Sequence, residues 1–284
     1  MLFRSKQCGE HTIDPRGATR FLNHGRTPHW RKQRLNTFRA WLMATLGVRL
    51  GAMRIAIGTS GYSFPEWKGV FYPKDLPASD MLRYYAGQFP TVEINNTFYR
   101  MPKESVVAEW AAAVPEGFTF SLKASQRITH HQRLKDVDSL LEYLLRASTA
   151  LGEKRGPTLF QLPPNMKRDD DRLGAFLALL PRRWSATVEF RHPSWFADEV
   201  YALLRQHDVA LCVAESEDMA TPVISTASYG YLRLHKPAYA PDELDRWSKQ
   251  IKEQSWDQTF VYFKHDADTA GPALATEFAK RMEL

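Results

Sequence analysis

Cysteine is scarce in this chain, and long apolar runs are missing. Cys8 and Cys212 are the only cysteines among 284 residues, too few and too far apart for a disulfide framework or a zinc-ligand cluster. This usage favours a reducing compartment, so the sequence predicts a cytoplasmic protein. The most apolar stretch near the start, TFRAWLMATLGVRLGAM, is too short to span a bilayer and is interrupted by Arg39 and Arg49. No membrane partner is therefore predicted.

Acidic residues are nearly absent from residues 1–52. This segment carries ten Lys or Arg against Glu10 and Asp14, a net charge of +8, whereas the whole chain carries +6. The remaining residues therefore carry −2, and the basic pI does not describe a folded nucleic-acid-binding face. The polar, turn-rich composition predicts a disordered leader. Three interpretations stay open: a start codon upstream of the true start at Met53, an Arg-rich transit peptide, or a basic tail that contacts membrane or nucleic acid.

From residue 53 onward, short strand-like runs alternate with helical patterns. Ser79 and Ser194 are predicted N-caps of two of the helices, and residues 216–228 show no convincing helix. Repeated βα units predict parallel strands joined by right-handed crossovers. No GxGxxG or Walker-type loop is present, so the usual nucleotide fingerprint of an open doubly wound sheet is missing. The eight predicted strands are RIAIG, TVEIN, FTFSLKAS, PTLFQLP, ATVEFRH, VALCVAE, YGYLRLHK and TFVYFKH.

Alternation inside these strands favours a closed barrel. In TVEIN, Val92 and Ile94 take one face while Glu93 and Asn95 take the other. An open parallel sheet covered on both faces would instead give continuous apolar runs. We therefore predict an α/β fold, a single-domain (β/α)8 TIM-type barrel over residues 53–284, with apolar faces toward the helices and polar faces toward the lumen.

Several motifs give the chain a family resemblance. They are IGTSGYSFPEWKGVFYP, VEINNTFYRMP, FSLKASQRITH, LFQLPPN, VEFRHPSW, YLRLHK and FVYFKHD. In this order they resemble the YecE-like family of uncharacterised proteins, a domain of unknown function, over essentially all of residues 53–284. The resemblance implies a TIM-type barrel and no settled biochemical activity. Two features depart from the family: the last strand ends in FKHD where many relatives have an Asn-Asn-Asp type ending, and the leader has no counterpart.

Polar residues late in the strands form the candidate site, because the C-terminal strand ends carry the active site in this fold. The predicted catalytic residues are Glu93 and Glu189, as general acid or base, and Lys123, as an anion-binding group or a nucleophile that forms a Schiff base. Glu215 is a further candidate at the end of the sixth strand. The predicted substrate-binding residues are Asn95, Gln161, Arg191, His192, Arg233, His235 and Lys264.

The sign of this cluster predicts the ligand class. Four cations, Lys123, Arg191, Arg233 and Lys264, would oppose a bound divalent metal, so we predict no metal and no cofactor. Arginine's planar fork suits a phosphate or carboxylate. The sequence therefore predicts an enzyme, a hydrolase or a lyase, that binds a small anionic ligand.

Four alternatives stay open. The charged residues could form an internal salt-bridge network without catalytic function. Two carboxylates on different strands also permit glycosidase chemistry. The chain could be a phosphodiester-directed protein that binds or cuts nucleic acid, although support for a nucleic-acid partner is weak. It could also be a non-catalytic ligand-binding barrel. The oligomeric state is not predicted.

Overall fold

Eight parallel strands close into a barrel in the computed structural model, which describes residues 49–50, 53–216, 220–264 and 269–284. The barrel strands are β2 (Met53–Thr59), β3 (Thr91–Ile94), β4 (Thr119–Lys123), β5 (Arg155–Gln161), β6 (Ala186–Glu189), β7 (Ala210–Glu215), β8 (Tyr229–Leu234) and β9 (Gln258–Phe263). Each strand pairs in parallel with the next, and β2 pairs with β9 to close the ring. The predicted (β/α)8 barrel is confirmed.

Helices separate most of the strands. They are α1 (Met81–Ala86), α2 (Glu104–Ala113), α3 (Asp138–Thr149), α4 (Asp170–Ala178), α5 (Asp198–Gln206), α6 (Pro241–Lys252) and α7 (Ala270–Arg281). In the described part of the connection from β7 to β8, residue 216 and residues 220–228, no helix is formed. This agrees with the absence of a helical pattern there. None of the helices in the described part of the chain has the length and hydropathy needed to span a bilayer.

The predicted leader lies almost wholly outside the described residues. Its described part is a two-residue strand, β1 (Arg49–Leu50), which pairs antiparallel with the start of β2. The sequence analysis did not predict this pairing. The FKHD ending of the last strand also lies partly outside the described residues, which stop at Lys264 before the gap.

The strands present two different faces, as their alternation predicts. Val92 and Ile94 of β3 belong to a large apolar cluster that also contains side chains from α1, α6 and α7. A smaller cluster fills the lower lumen with Leu159, Cys212, Tyr231 and other side chains from alternate strand positions. The lumen is therefore a packed core at its base, and its polar positions come near the C-terminal ends of the strands.

Neither predicted serine N-cap is confirmed. Ser79 lies inside a short 3-10 turn, Ala78–Asp80, that precedes α1. Ser194 lies inside a second 3-10 turn, Pro193–Trp195, and α5 begins four residues later with Ala197 at its N-cap. Both predictions were wrong because another residue occupies the N-cap position of each helix, Asp80 for α1 and Ala197 for α5.

Candidate functional site

A cavity of about 1380 Å³ opens at the C-terminal mouth of the barrel, where the strands end. We call it the mouth cavity. Four polar residues from different strands line it: Lys123 on β4, Gln161 on β5, Glu189 on β6 and Arg233 on β8. Aromatic residues from the connecting loops and from α2 also line the cavity; these are Tyr62, Phe64, Tyr99, Trp110 and Phe196. The arrangement can hold a ligand that combines a charged group with a larger apolar part.

Arg233 is the centre of the polar cluster and joins two carboxylates. Its Nε donates to both Glu93 oxygens at 3.0 and 3.2 Å, and its Nη2 donates to Glu93 Oε1 at 3.0 Å. Its Nη1 donates to Glu189 Oε2 at 2.6 Å. Tyr231 adds a hydrogen bond from its hydroxyl to Glu93 Oε2 at 2.7 Å. Arg233, Glu93 and Glu189 are 5%, 0% and 4% exposed, so these ion pairs are shielded from water.

The electrostatics of this cluster favour its charged form. Burial alone would raise the pKa of Glu93, but the Arg233 guanidinium and hydrogen bonds from Arg233, Tyr231 and Ser60 outweigh burial and lower that pKa. Burial likewise opposes the charge of Arg233, yet Glu93 and Glu189 hold its pKa well above the ordinary value. Burial and the Glu93 carboxylate raise the pKa of Tyr231, which keeps its hydroxyl protonated as a donor.

The two predicted carboxylates occupy different positions. Glu189 lines the mouth cavity, and its Oε1 accepts a hydrogen bond from Gln161 Nε2 at 2.8 Å. Glu93 is not among the cavity-lining residues, and its carboxylate accepts hydrogen bonds from Arg233 and Tyr231. Glu189 can therefore meet a ligand, whereas Glu93 positions Arg233.

Lys123 lines the mouth cavity and forms no ion pair with a carboxylate of the described residues. Its Nζ lies 4.3 Å from the centre of the Phe98 ring. Among the described residues, no carboxylate oxygen lies within 4.0 Å of this Nζ. Burial and the Arg233 charge lower the pKa of Lys123 to about 8, against the opposing effect of the Glu93 and Glu189 carboxylates.

The remaining predicted binding residues at the rim of the cavity are Asn95, Arg191, His235 and Lys264, and all four line it. Arg191 and Lys264 are exposed, while Asn95 and His235 are half-buried. Asn95 donates from Nδ2 to the Ser60 carbonyl oxygen at 3.2 Å, and its buried Oδ1 has no hydrogen-bond partner among the described residues. A ligand donor could satisfy this oxygen.

Two predicted positions are directed elsewhere. His192 is not among the cavity-lining residues; its Nδ1 accepts from the Ser194 amide at 3.2 Å and caps the 3-10 turn. Glu215 reaches the cavity margin, but its carboxylate accepts from Trp247 Nε1 at 2.8 Å and lies 3.4 Å from Lys236 Nζ. Ala214 packs against the lumen cluster, so the next residue on β7 faces the helices.

Ser60 lines the cavity and was not predicted from the sequence. Ser60 is 1% exposed, and its Oγ lies 3.1 Å from His235 Nε2. The next residue, Gly61, has φ of +116° and also lines the cavity. The GTSGY motif was the available signal, because such a turn after a barrel strand places the residue between its glycines at the functional end.

No arrangement typical of a metal centre is present in the described residues. Within them, no group of three or more His, Cys, Asp or Glu side chains could hold a metal ion. The two carboxylates among the cavity-lining residues are already paired, Glu189 with Arg233 and Glu215 with Lys236 and Arg246.

Comparison with known proteins identifies the family. A model described as "Protein of unknown function DUF72" matches residues 56–284. The chain is 33% identical over 144 residues to UPF0759 protein YecE of Escherichia coli K12, covering 50% of each chain. It is 29% identical over 156 residues to UPF0759 protein YunF of Bacillus subtilis, covering 52% of this chain and 54% of that protein. These matches span about half the length of the curated relatives.

Solved structures agree with this assignment. A DUF72 family protein from Thermotoga maritima is 29% identical, with a TM-score of 0.73, and the match covers 81% of this chain and 99% of that one. A DUF72 family protein from Enterococcus faecalis, 18% identical with a TM-score of 0.70, covers 81% of this chain and 96% of that one and supports the fold alone. The resemblance to the YecE-like family is confirmed, and the chain belongs to the DUF72 family.

Proposed function

We propose that this protein is an enzyme that binds a small anionic substrate, a phosphate or a carboxylate, in the mouth cavity. Glu189 is the proposed general acid or base. The observation that carries the proposal is a difference between two cations. Arg233 forms ion pairs with both Glu93 and Glu189, whereas Lys123 faces the cavity and has no carboxylate oxygen of the described residues within 4.0 Å of its Nζ.

The charge balance of the cavity favours an anion. Glu93, Glu189 and Arg233 are joined by close ion pairs and together carry a net charge of −1. Lys123 and Arg191 add two positive charges, so these five groups carry a net charge of +1. A buried or half-buried cation is costly unless a counter-charge reaches it, so a ligand carboxylate or phosphate would relieve the cost. Arg191 can bind such a group through two parallel N–H donors.

Glu189 is better placed than Glu93 for proton transfer. It lines the cavity, and Gln161 and Arg233 fix one oxygen each through a single hydrogen bond. Each carboxylate oxygen can accept a further hydrogen bond, so Glu189 can still contact a substrate. Glu93 lies outside the cavity lining, which argues against a glycosidase pair flanking a bound sugar.

The other function classes have less support. A nucleic-acid-directed protein needs a basic surface, but residues 53–284 carry a net charge of −2. Gln161 and Arg233 hold the Glu189 carboxylate in one orientation at the cavity. A barrel that only binds its ligand would not need a carboxylate held in this way. Retention of anion binding by Glu189→Gln would separate the roles of binding and proton transfer.

Isothermal titration calorimetry with inorganic phosphate and with pyruvate tests the binding step. We expect the wild type to bind at least one probe and Arg191→Ala to weaken binding about 10- to 100-fold, the value of a charge-assisted hydrogen bond. Glu189→Gln should retain binding. Arg246→Ala is the matched control, because its side chain is 52% exposed and lies on α6 outside the cavity lining. Equal affinity in Arg191→Ala and Arg246→Ala would contradict the proposal.

A further inference from the structure

Lys123 occupies an unusual position for a lysine. It ends β4, and its side chain enters the mouth cavity rather than solvent. Phe98, which is 9% exposed, lies beneath the ammonium with its ring centre 4.3 Å from Nζ. The Phe98 ring in turn meets the His130 ring edge-on at 5.0 Å. Lys123 is therefore held by packing, with its amine directed at the space that a ligand would fill.

The charged groups around Lys123 come from four parts of the barrel. Arg233 on β8 and Arg191 after β6 disfavour its charge, while Glu93 on β3 and Glu189 on β6 favour it. His130, in the turn after β4, also interacts with it. Both carboxylates are already bound to Arg233, and no described carboxylate oxygen lies within 4.0 Å of Nζ.

Burial and the Arg233 charge bring the pKa of Lys123 to about 8. Near pH 7, a lysine of this kind has on the order of 100-fold more neutral amine than an exposed lysine of ordinary pKa. The neutral amine is the nucleophilic form. Lys123 thus combines three properties: a supply of neutral amine, a location in the cavity, and nearby cations that can bind an anionic group.

We propose that Lys123 is a nucleophile that forms a Schiff base with the carbonyl carbon of a small anionic oxo compound, such as a 2-oxo acid or a phosphorylated aldehyde. This inference rests on the proposed function, since the anionic group of the compound would be held by Arg191 at the rim. It adds the substrate class: the ligand carries a ketone or aldehyde as well as its phosphate or carboxylate.

The reaction balances without an oxidant or reductant. The Nζ lone pair attacks the carbonyl carbon, a C–N bond forms, and the carbonyl π electrons move to oxygen. Nζ loses its protons, and the carbonyl oxygen gains two and leaves as water as the C=N bond forms. Glu189, which lines the same cavity, is the group that would take the proton from nitrogen and return it to the departing oxygen. The products are one Schiff base and one water.

Borohydride trapping tests the inference on the full-length protein. Pyruvate and glyceraldehyde 3-phosphate serve as probes, sodium borohydride reduces any Schiff base, and peptide mass spectrometry locates the modified lysine. We expect one reduced adduct per chain with at least one probe, located on Lys123. The initial rate at Lys123 should exceed that at Lys249, whose side chain is 77% exposed, on the order of 100-fold near pH 7. The rate should rise with pH and level off above about pH 8, which a merely structural lysine would not show.

Variants make the result decisive. Lys123→Arg keeps the positive charge but removes the nucleophile, so it should lose the adduct while still binding phosphate. Lys249→Arg is the matched control and should keep the adduct on Lys123. If phosphate or pyruvate binds the wild type but Lys123 reacts no faster than Lys249, the Schiff-base inference is wrong and the proposed function stands. If neither phosphate nor pyruvate binds, and neither pyruvate nor glyceraldehyde 3-phosphate forms an adduct with Lys123, the Schiff-base inference and the proposed function are both wrong.

Discussion

Removal of the Arg233 side chain is the most severe test of the buried cluster that Arg233 forms with Glu93 and Glu189. In Arg233→Ala, Glu93 would lose every guanidinium contact and keep the hydrogen bond from Tyr231. Glu189 would lose its Arg233 contact and keep the one from Gln161. Two carboxylates, 0% and 4% exposed, would then lack their counter-charge.

The expected cost is large. Loss of one partner of a buried ion pair typically destabilises a protein by about 3–5 kcal/mol, because the remaining charge is buried and uncompensated. We therefore expect Arg233→Ala to lower the free energy of unfolding by at least about 3 kcal/mol at pH 7.5. The cost arises from unpaired charge rather than from lost volume, so Arg233→Met should also be destabilised. Adding Glu93→Gln to Arg233→Met should recover part of the loss.

The loss should depend on pH in a defined direction. In the wild type, the folded-state pKa of Glu93 is lowered, so its stabilising contribution is present above the unfolded value and is lost as pH falls through the folded pKa. In Arg233→Ala, we expect burial to outweigh the remaining hydrogen bonds from Tyr231 and Ser60 and to raise the folded pKa of Glu93 above its unfolded value of 4.5. That carboxylate then destabilises the variant at neutral pH, and protonation relieves the penalty as pH falls. The difference between the two proteins should therefore narrow from pH 7.5 to pH 5.

Urea denaturation followed by tryptophan fluorescence, at pH 7.5 and pH 5, measures this difference. Arg246→Ala is the control: its side chain is 52% exposed and lies 3.4 Å from Glu215, so its loss should cost no more than about 1 kcal/mol. A loss below about 1 kcal/mol for Arg233→Ala at pH 7.5, or an equal loss at both pH values, would show that Arg233 does not compensate the buried carboxylates.

Two further stability predictions use the same assay. Gly58→Ala should destabilise by about 1–3 kcal/mol or more, because the new Cβ would lie 2.1 Å from the Thr91 carbonyl oxygen; Gly174→Ala, where the nearest atom is 3.9 Å away, should be neutral or stabilising, and equal effects would contradict the close approach. Lys123→Met should stabilise the ligand-free protein at pH 7, because the lysine's folded pKa of about 8 lies below its unfolded value and its charged form is destabilising below that pH. This gain in stability should shrink as pH rises through 8 toward 10.5. If Lys123→Met is instead less stable than the wild type while Lys249→Met is unaffected, Lys123 stabilises the fold and the prediction is wrong.

Strand alternation predicted most of the fold and the lumen side chains. The period of two places Glu93, Lys123, Gln161, Glu189 and Arg233 on lumen faces, and the βα repeat predicts which strand ends meet. Alternation does not predict how deep in the lumen each side chain lies. It assigns Glu93 and Glu189 to the same environment, although Glu189 lines the cavity and Glu93, which is bound by Arg233, does not.

Residues at and just beyond the strand ends were harder to assign. Glu215 was a candidate lumen carboxylate because it ends its strand, yet counting from Cys212 and Ala214 places it on the helix face. His192 follows the strand end and becomes a cap of a 3-10 turn. The period of two applies only inside the strand, and short 3-10 turns have no distinctive apolar pattern in the sequence.

The position of a bound anion is the decisive observation on whether the mouth cavity binds the anionic group of a substrate. A crystal structure of the wild-type protein with inorganic phosphate or pyruvate, at a concentration that saturates binding in calorimetry, would show where the anion lies. We expect density in the mouth cavity within hydrogen-bond distance of Lys123 Nζ and the Arg191 guanidinium. An anion bound only elsewhere, with this cavity empty at saturation, would contradict this expectation.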